Sequence, residues 1–186
     1  MRRTLQTARV GLQWLIDRGV PVQPRGEWQE NSDSPCDTGT PIRTIAEEFP
    51  AFSFDTVFPE YPRKIGRWAF TQKAVFQRAI DCRRWLKSRP EKVIAVVSHS
   101  AFLRLAVTNS QFANADYRVF DFADNGDAHD LVEWKLTAEN GGGMGWSPKG
   151  PSQIQPSDFK PAVSQRDFEK GESEVLEEVR SEAPAT

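Results

Sequence analysis

Cysteine is nearly absent: Cys36 and Cys82 are the only two in 186 residues. That excludes a disulfide framework or a zinc quartet and points to a reduced, intracellular setting, taken as cytoplasmic. Histidine is equally scarce, with His99 and His129 alone. With the scattered acids these form no ligand cluster of zinc spacing, so neither a metal nor a cofactor is expected. No sign of charge dominates either. There are 24 basic and 26 acidic residues and a formal net charge of −2. No basic cluster marks a nucleic-acid or membrane surface. No apolar run approaches the ~18 residues of a membrane span. The N-terminal stretch MRRTLQTARVGLQWLIDRG is interrupted by Arg9, Gln13 and Asp17, unlike the apolar region of a secretory signal. At roughly 100–200 residues per domain, the length suits one domain with an appendage.

What is present reads as α/β. Leu5, Ala8, Leu12, Leu15 and Ile16 recur at helical spacing, so residues 3–18 predict a helix stopped by Gly19 and Pro21. A polar loop, GEWQENSDSPCDTGTP, follows. Thr40 then reads as an N-cap with Pro41 in the first turn of a short helix carrying Ile42, Ile45 and Phe49. Phe54, Phe58, Tyr61 and Trp68 form either an apolar wall of a site or ordinary packing. Val75, Ala79, Cys82 and Leu86 share one stripe of a longer helix within 66–88. Val93 to Val97 is continuously apolar and largely β-branched, the pattern of a parallel strand buried on both faces. Residues 101–107 predict a helix, and alternation at 117–121 and 132–136 predicts two strands toward a sheet edge. From Gly141 the chain turns rich in Gly, Pro, Ser and Gln, then acidic. Residues 141–186 are therefore expected to be a disordered acidic tail, with a helical turn near 174–180. The α/β domain is expected to occupy residues 1–140.

His99 stands where the strand 93–97 would end, flanked by Ser98 and Ser100 and followed by a helix start. Ligands of open α/β sheets bind beyond the carboxyl ends of strands, and a helix start offers free N–H groups to an anion. A buried imidazole bonded to a carbonyl is the plainer alternative. A third reading takes SHSAF as a degraded nucleophile elbow, with Ser100 followed by Asp121 or Asp124 and His129 as a serine-hydrolase triad. Both elbow glycines are absent, and Phe102 would crowd that turn.

Three stretches, in this order, weigh for the first reading. RRTLQTA at 2–8 resembles the segment after the second strand in the histidine phosphatase superfamily, the phosphoglycerate mutase-like proteins. WQENSDSPCDTGTP at 28–41 is similar to that family's acidic loop, in the form of its fungal branch. VVSHSAFLR at 96–104 resembles its second-histidine motif. The resemblance implies a three-layer sandwich, a mostly parallel sheet flanked by helices. It implies phosphomonoester hydrolysis on a phosphorylated small-molecule substrate, through a histidine nucleophile. Carried over by motif, Arg3 is a phosphate clamp, His99 the second, phosphate-contacting histidine, and Glu30 the general acid/base. Hydrolysis is expected over phosphoryl transfer between ligands, because the loop after Glu30 shows no extra basic residues.

The departure from the family is the nucleophile. No Arg-His-Gly motif occurs in the chain. The strand that carries it would lie beside residues 93–97, and with the next helix and strand it would precede Met1. Met1 is therefore expected to be an internal methionine of a longer polypeptide. Otherwise the chain is a degenerate homologue that binds phosphate or a protein partner without turnover, with the acidic tail a candidate interaction element.

Overall fold

Helical periodicity at the N-terminus produces two helices rather than one. In the computed structural model, which describes residues 1–124 and 130–159, α1 spans Arg2–Gly11 and α2 spans Gln13–Ile16. The chain breaks at Leu12 (φ −121°, ψ 14°), directly after Gly11, a residue that is costly in a helix. Leu5 and Ala8 alone are buried on α1, and none of α2 is. Leu5 packs with Ile45 of α3 (Ile42–Glu48) and with Phe49 and Phe52 in a small core. Pro41 occupies the cap position of α3, and no side chain caps it, so Thr40 does not play the expected role.

The main core forms around α4, Gln72–Lys87. Thr71 caps it by accepting the Ala74 N–H at 3.3 Å. The predicted stripe holds: Val75, Ala79 and Cys82 are buried, joined by Trp28, Phe102, Leu105, Ala106 and Val107. The last four belong to one continuous helical stretch. It starts as α5, Ser100–Phe102, and widens into a π-helical turn over Leu103–Val107. The aromatic loop before α4 packs on itself. Phe58 stacks on Trp68 with centroids 3.8 Å apart and meets Tyr61 edge-on at 5.9 Å.

Among the described residues the only sheet is a two-stranded antiparallel one. β1 (Phe120–Phe122) pairs with β2 (Leu131–Glu133) in the register Phe120 to Glu133, Asp121 to Val132 and Phe122 to Leu131. The second strand is shorter than its alternation suggested. The chain turns at Trp134 into α6, Lys135–Asn140, closed by Gly141 at φ 78°. Residues 93–97 form neither helix nor strand, and no described strand pairs with them. Their expected burial is not found: Val93 is 88% exposed, and Ile94 and Val96 are exposed too. Beside them lies a groove of about 260 Å³, walled on its far side by Leu5, Ala8, Leu12 and Leu15. β-Branched residues favour extended backbone locally, but burial requires neighbours on both sides.

The composition change at Gly141 does not mark the edge of the folded body, so the expected boundary at 140/141 moves. Phe159 is buried in the main core against Phe70 and Phe76. Ser147 donates to Asp116 and accepts the Ala113 N–H, and the Ser152 N–H bonds the Asn109 carbonyl. Gly and Pro density predicted a disordered tail, but a segment of that composition that carries a large aromatic can still dock. Residues 160–186, with the expected turn at 174–180, lie outside the described residues, as does His129. Replacing Phe159→Ala should therefore cost about 3 kcal/mol of unfolding free energy, the usual cost of an aromatic cavity, measured by urea denaturation. An unchanged midpoint would return 141–159 to the tail.

Candidate anion-binding site

The loop at 28–31 is tied to the stretch 98–102 from both ends. Ser98 Oγ donates to the Trp28 carbonyl at 2.8 Å, and Trp28 meets Phe102 edge-on at 6.0 Å. Between them the Glu30 carboxylate accepts three backbone N–H groups: Asn31 at 2.9 Å, Phe102 at 3.0 Å and Ala101 at 3.4 Å. Glu30 is thus buried as the cap of α5, where exposed N–H groups and the helix dipole favour a negative charge. It does not stand in an open solvated loop.

His99 sits one residue before α5, buried, with its backbone extended. Its Nδ1 accepts a hydrogen bond from Arg3 Nε at 3.3 Å, across 96 positions of sequence. That bond puts the imidazole proton on Nε2. Arg3 also donates from Nη1 to the Cys36 carbonyl at 2.6 Å and from Nη2 to Asp37 Oδ1 at 2.9 Å. A guanidinium has five N–H donors, so two remain for a ligand. Lys64 enters from the loop before α4 and donates from Nζ to the Glu30 carbonyl.

The charges crowd one another. Burial, then the positive charges of Arg3, the Met1 amine and Lys64, push His99 down to about 3, against the opposing pull of Asp37. Burial and the neighbouring Arg78 push Lys64 down to about 7. Burial pushes the Asp37 carboxyl up, but hydrogen bonds from Arg3 and Ser32 outweigh it and hold the group below the ordinary range. Arg78 is buried on α4 with its Cζ over the Phe102 ring, 4.2 Å from the centroid, and its Nη2 donating to Asn31 Oδ1 at 2.7 Å. Its Nε and Nη1 have no hydrogen-bond partner among the described residues.

Arg3 and His99 therefore meet as their motifs suggested, and Glu30 lies alongside, bonded to the two residues that follow Ser100. Asp37, Lys64, Asn31 and Arg78 were not foreseen. Asp37 reads as a turn residue in CDTG, and Lys64 follows an aromatic loop that no periodicity places. Arg78 did leave a signal: a charge three residues from Val75 and four from Cys82, on the buried stripe of its helix. The hydroxyl of Ser100 donates to the Phe112 carbonyl at 3.1 Å, and Asp121 accepts from Trp134 Nε1 at 2.7 Å. No described histidine bonds Ser100. Among the described residues no three His, Cys, Asp or Glu side chains converge as metal ligands, and no helix is long and apolar enough to cross a membrane. With an imidazole N–H, two guanidinium N–H groups and a neighbouring amine, the arrangement offers donors to an oxyanion.

The chain is 31% identical over 108 residues to a protein of Schizosaccharomyces pombe named as a probable phosphatase, a match covering 56% of this chain. The chain spans about half the length of that relative, 50%. No family model matches the chain. No solved structure matches it.

His99 carries a stability consequence. Its folded-state pKa lies below the ordinary value of 6.5, so the unfolded chain takes the proton first. The stabilisation is whole above pH 6.5 and is lost as pH falls toward 3. Between pH 7 and 5 the loss should be about 2 kcal/mol, and His99→Gln should abolish most of that slope in urea titrations at each pH. An unchanged slope would mean that the imidazole is not held neutral.

Proposed function

We propose that this chain forms the phosphoryl-binding half of a histidine phosphatase-type site, of phosphoglycerate mutase-like architecture, acting on a phosphorylated small molecule. The observation that carries the reading is the Arg3 Nε to His99 Nδ1 contact at 3.3 Å. It joins two of the three resembling stretches, and the third, through Asp37 and Glu30, encloses it. The likeness to a probable phosphatase supports the same class of chemistry. In this reading Arg3 and the Nε2–H of His99 hold phosphoryl oxygens and take up charge as the transition state forms. Glu30 would protonate the leaving oxygen and then activate water, which requires its carboxylate to leave the N–H groups of Ala101 and Phe102.

The three-layer fold belongs to the same proposal. Residues 93–97 would be an inner strand of its parallel sheet, and the groove between them and α1 is where a neighbouring strand would pair. Such a strand is also where the family's Arg-His-Gly would bring its nucleophile.

Two details favour binding without turnover by this chain. His99 Nδ1 is engaged by Arg3, and the Glu30 carboxylate is occupied by three backbone donors. We accordingly expect inorganic phosphate to bind in isothermal titration and Arg3→Ala to weaken it by about tenfold or more, the worth of a charge-assisted pair. Para-nitrophenyl phosphate should not be hydrolysed. Binding indifferent to Arg3→Ala would overturn the site, and turnover with a phosphorylated His99 would overturn the non-catalytic reading.

A further inference from the structure

Lys64 reaches the same place along a separate route. Its side chain is half-buried and one of its three N–H donors goes to the Glu30 carbonyl. Glu30, Asp33 and Asp37 face it from the loop at 30–37, and Arg78 faces it from α4. Its own charge is felt by His99, by Asp37 and by the Met1 amine. A flexible ammonium held at a backbone carbonyl, within range of the imidazole and of the carboxylate that Arg3 holds, can turn its spare donors to an incoming oxyanion. A fixed guanidinium already bonded on three sides is less free to move.

We propose that Lys64 is a second cationic arm of this site, which positions the bound anion and takes up a proton as the anion arrives. The inference rests on the phosphoryl-binding reading of the site. Its sign follows from the surroundings. Without a ligand, burial and Arg78 leave the amine titrating at about 7. A dianion beside it favours the charged form and raises that value. The contribution of Lys64 to anion affinity is therefore full below pH 7 and falls as pH rises above it.

The test uses the whole chain and sulfate, whose charge stays at −2 across the range. Sulfate affinity is measured by isothermal titration at pH 7 and pH 9 for wild type, Lys64→Met, Lys64→Arg and Arg3→Ala, with near-UV circular dichroism confirming the fold of each. Wild type should lose about fivefold or more in affinity over that interval. Lys64→Met should bind about fivefold more weakly at pH 7 and lose the pH dependence, while Lys64→Arg should hold the pH 7 affinity up to pH 9. Lys64→Arg separates a charge at the anion from a mere strut beneath Glu30, and it decides the matter with the wild-type profile if Lys64→Met fails to fold. Wild-type affinity and profile in Lys64→Met, with sulfate lost in Arg3→Ala, overturns the role of Lys64 and leaves the site standing. A flat wild-type profile does the same. No sulfate binding by wild type overturns both.

Discussion

The Glu30 carboxylate, seated on the backbone N–H groups of Asn31, Ala101 and Phe102, is the junction on which the site hangs. It fixes the start of α5 and therefore the backbone of His99 just before it. It holds the loop from which Asn31 meets Arg78, and the carbonyl of Glu30 itself receives Lys64. Trp28, two residues earlier, completes the attachment through Ser98 and the edge of Phe102. A buried carboxylate must satisfy its oxygens, and helix-start N–H groups need an acceptor. Each requirement meets the other, so two segments about seventy residues apart stay in register.

That junction gathers positive charge. Arg3 and Lys64 reach one imidazole from different elements, with Asp37 as the facing carboxylate, while Arg78 and Glu30 act on Lys64 from α4 and from the loop. His99 and Lys64 are both pushed down, burial first and neighbouring cations after. Cations that lower one another's proton affinity are destabilising as they stand, and an arriving oxyanion would relieve all of them together. The same logic explains the imidazole: neutral, with one nitrogen accepting from Arg3 and the other left as a donor.

Residues 93–97 show the opposite condition, an apolar run whose burial is not completed by any described strand. α1 and α2 turn their apolar side chains toward the same groove instead of toward a sheet. Two unfinished apolar surfaces that face each other across a gap explain why the N-terminal stripe, so regular in sequence, buries only Leu5 and Ala8.

Local pattern was a good guide wherever one element supplies its own reason. The α4 stripe of Val75, Ala79 and Cys82, its end before Pro90, and the short α3 all follow from spacing and breakers within a few residues. The motif positions of Arg3, Glu30 and His99 were legible too, as residue types. Their relations were not. Whether Glu30 stands free or caps a helix depends on N–H groups at 101 and 102, and whether Phe159 belongs to loop or core depends on Phe70 and Phe76. Lys64 and Asp37 became site residues only because separate loops fold onto the same imidazole. Sequence by itself determined α3, α4 and the kinds of groups available for an oxyanion, since both are properties of neighbours along the chain. Only the tertiary structure decided which groups share a charge environment, because Coulomb energy and burial depend on distances in space that no local spacing encodes.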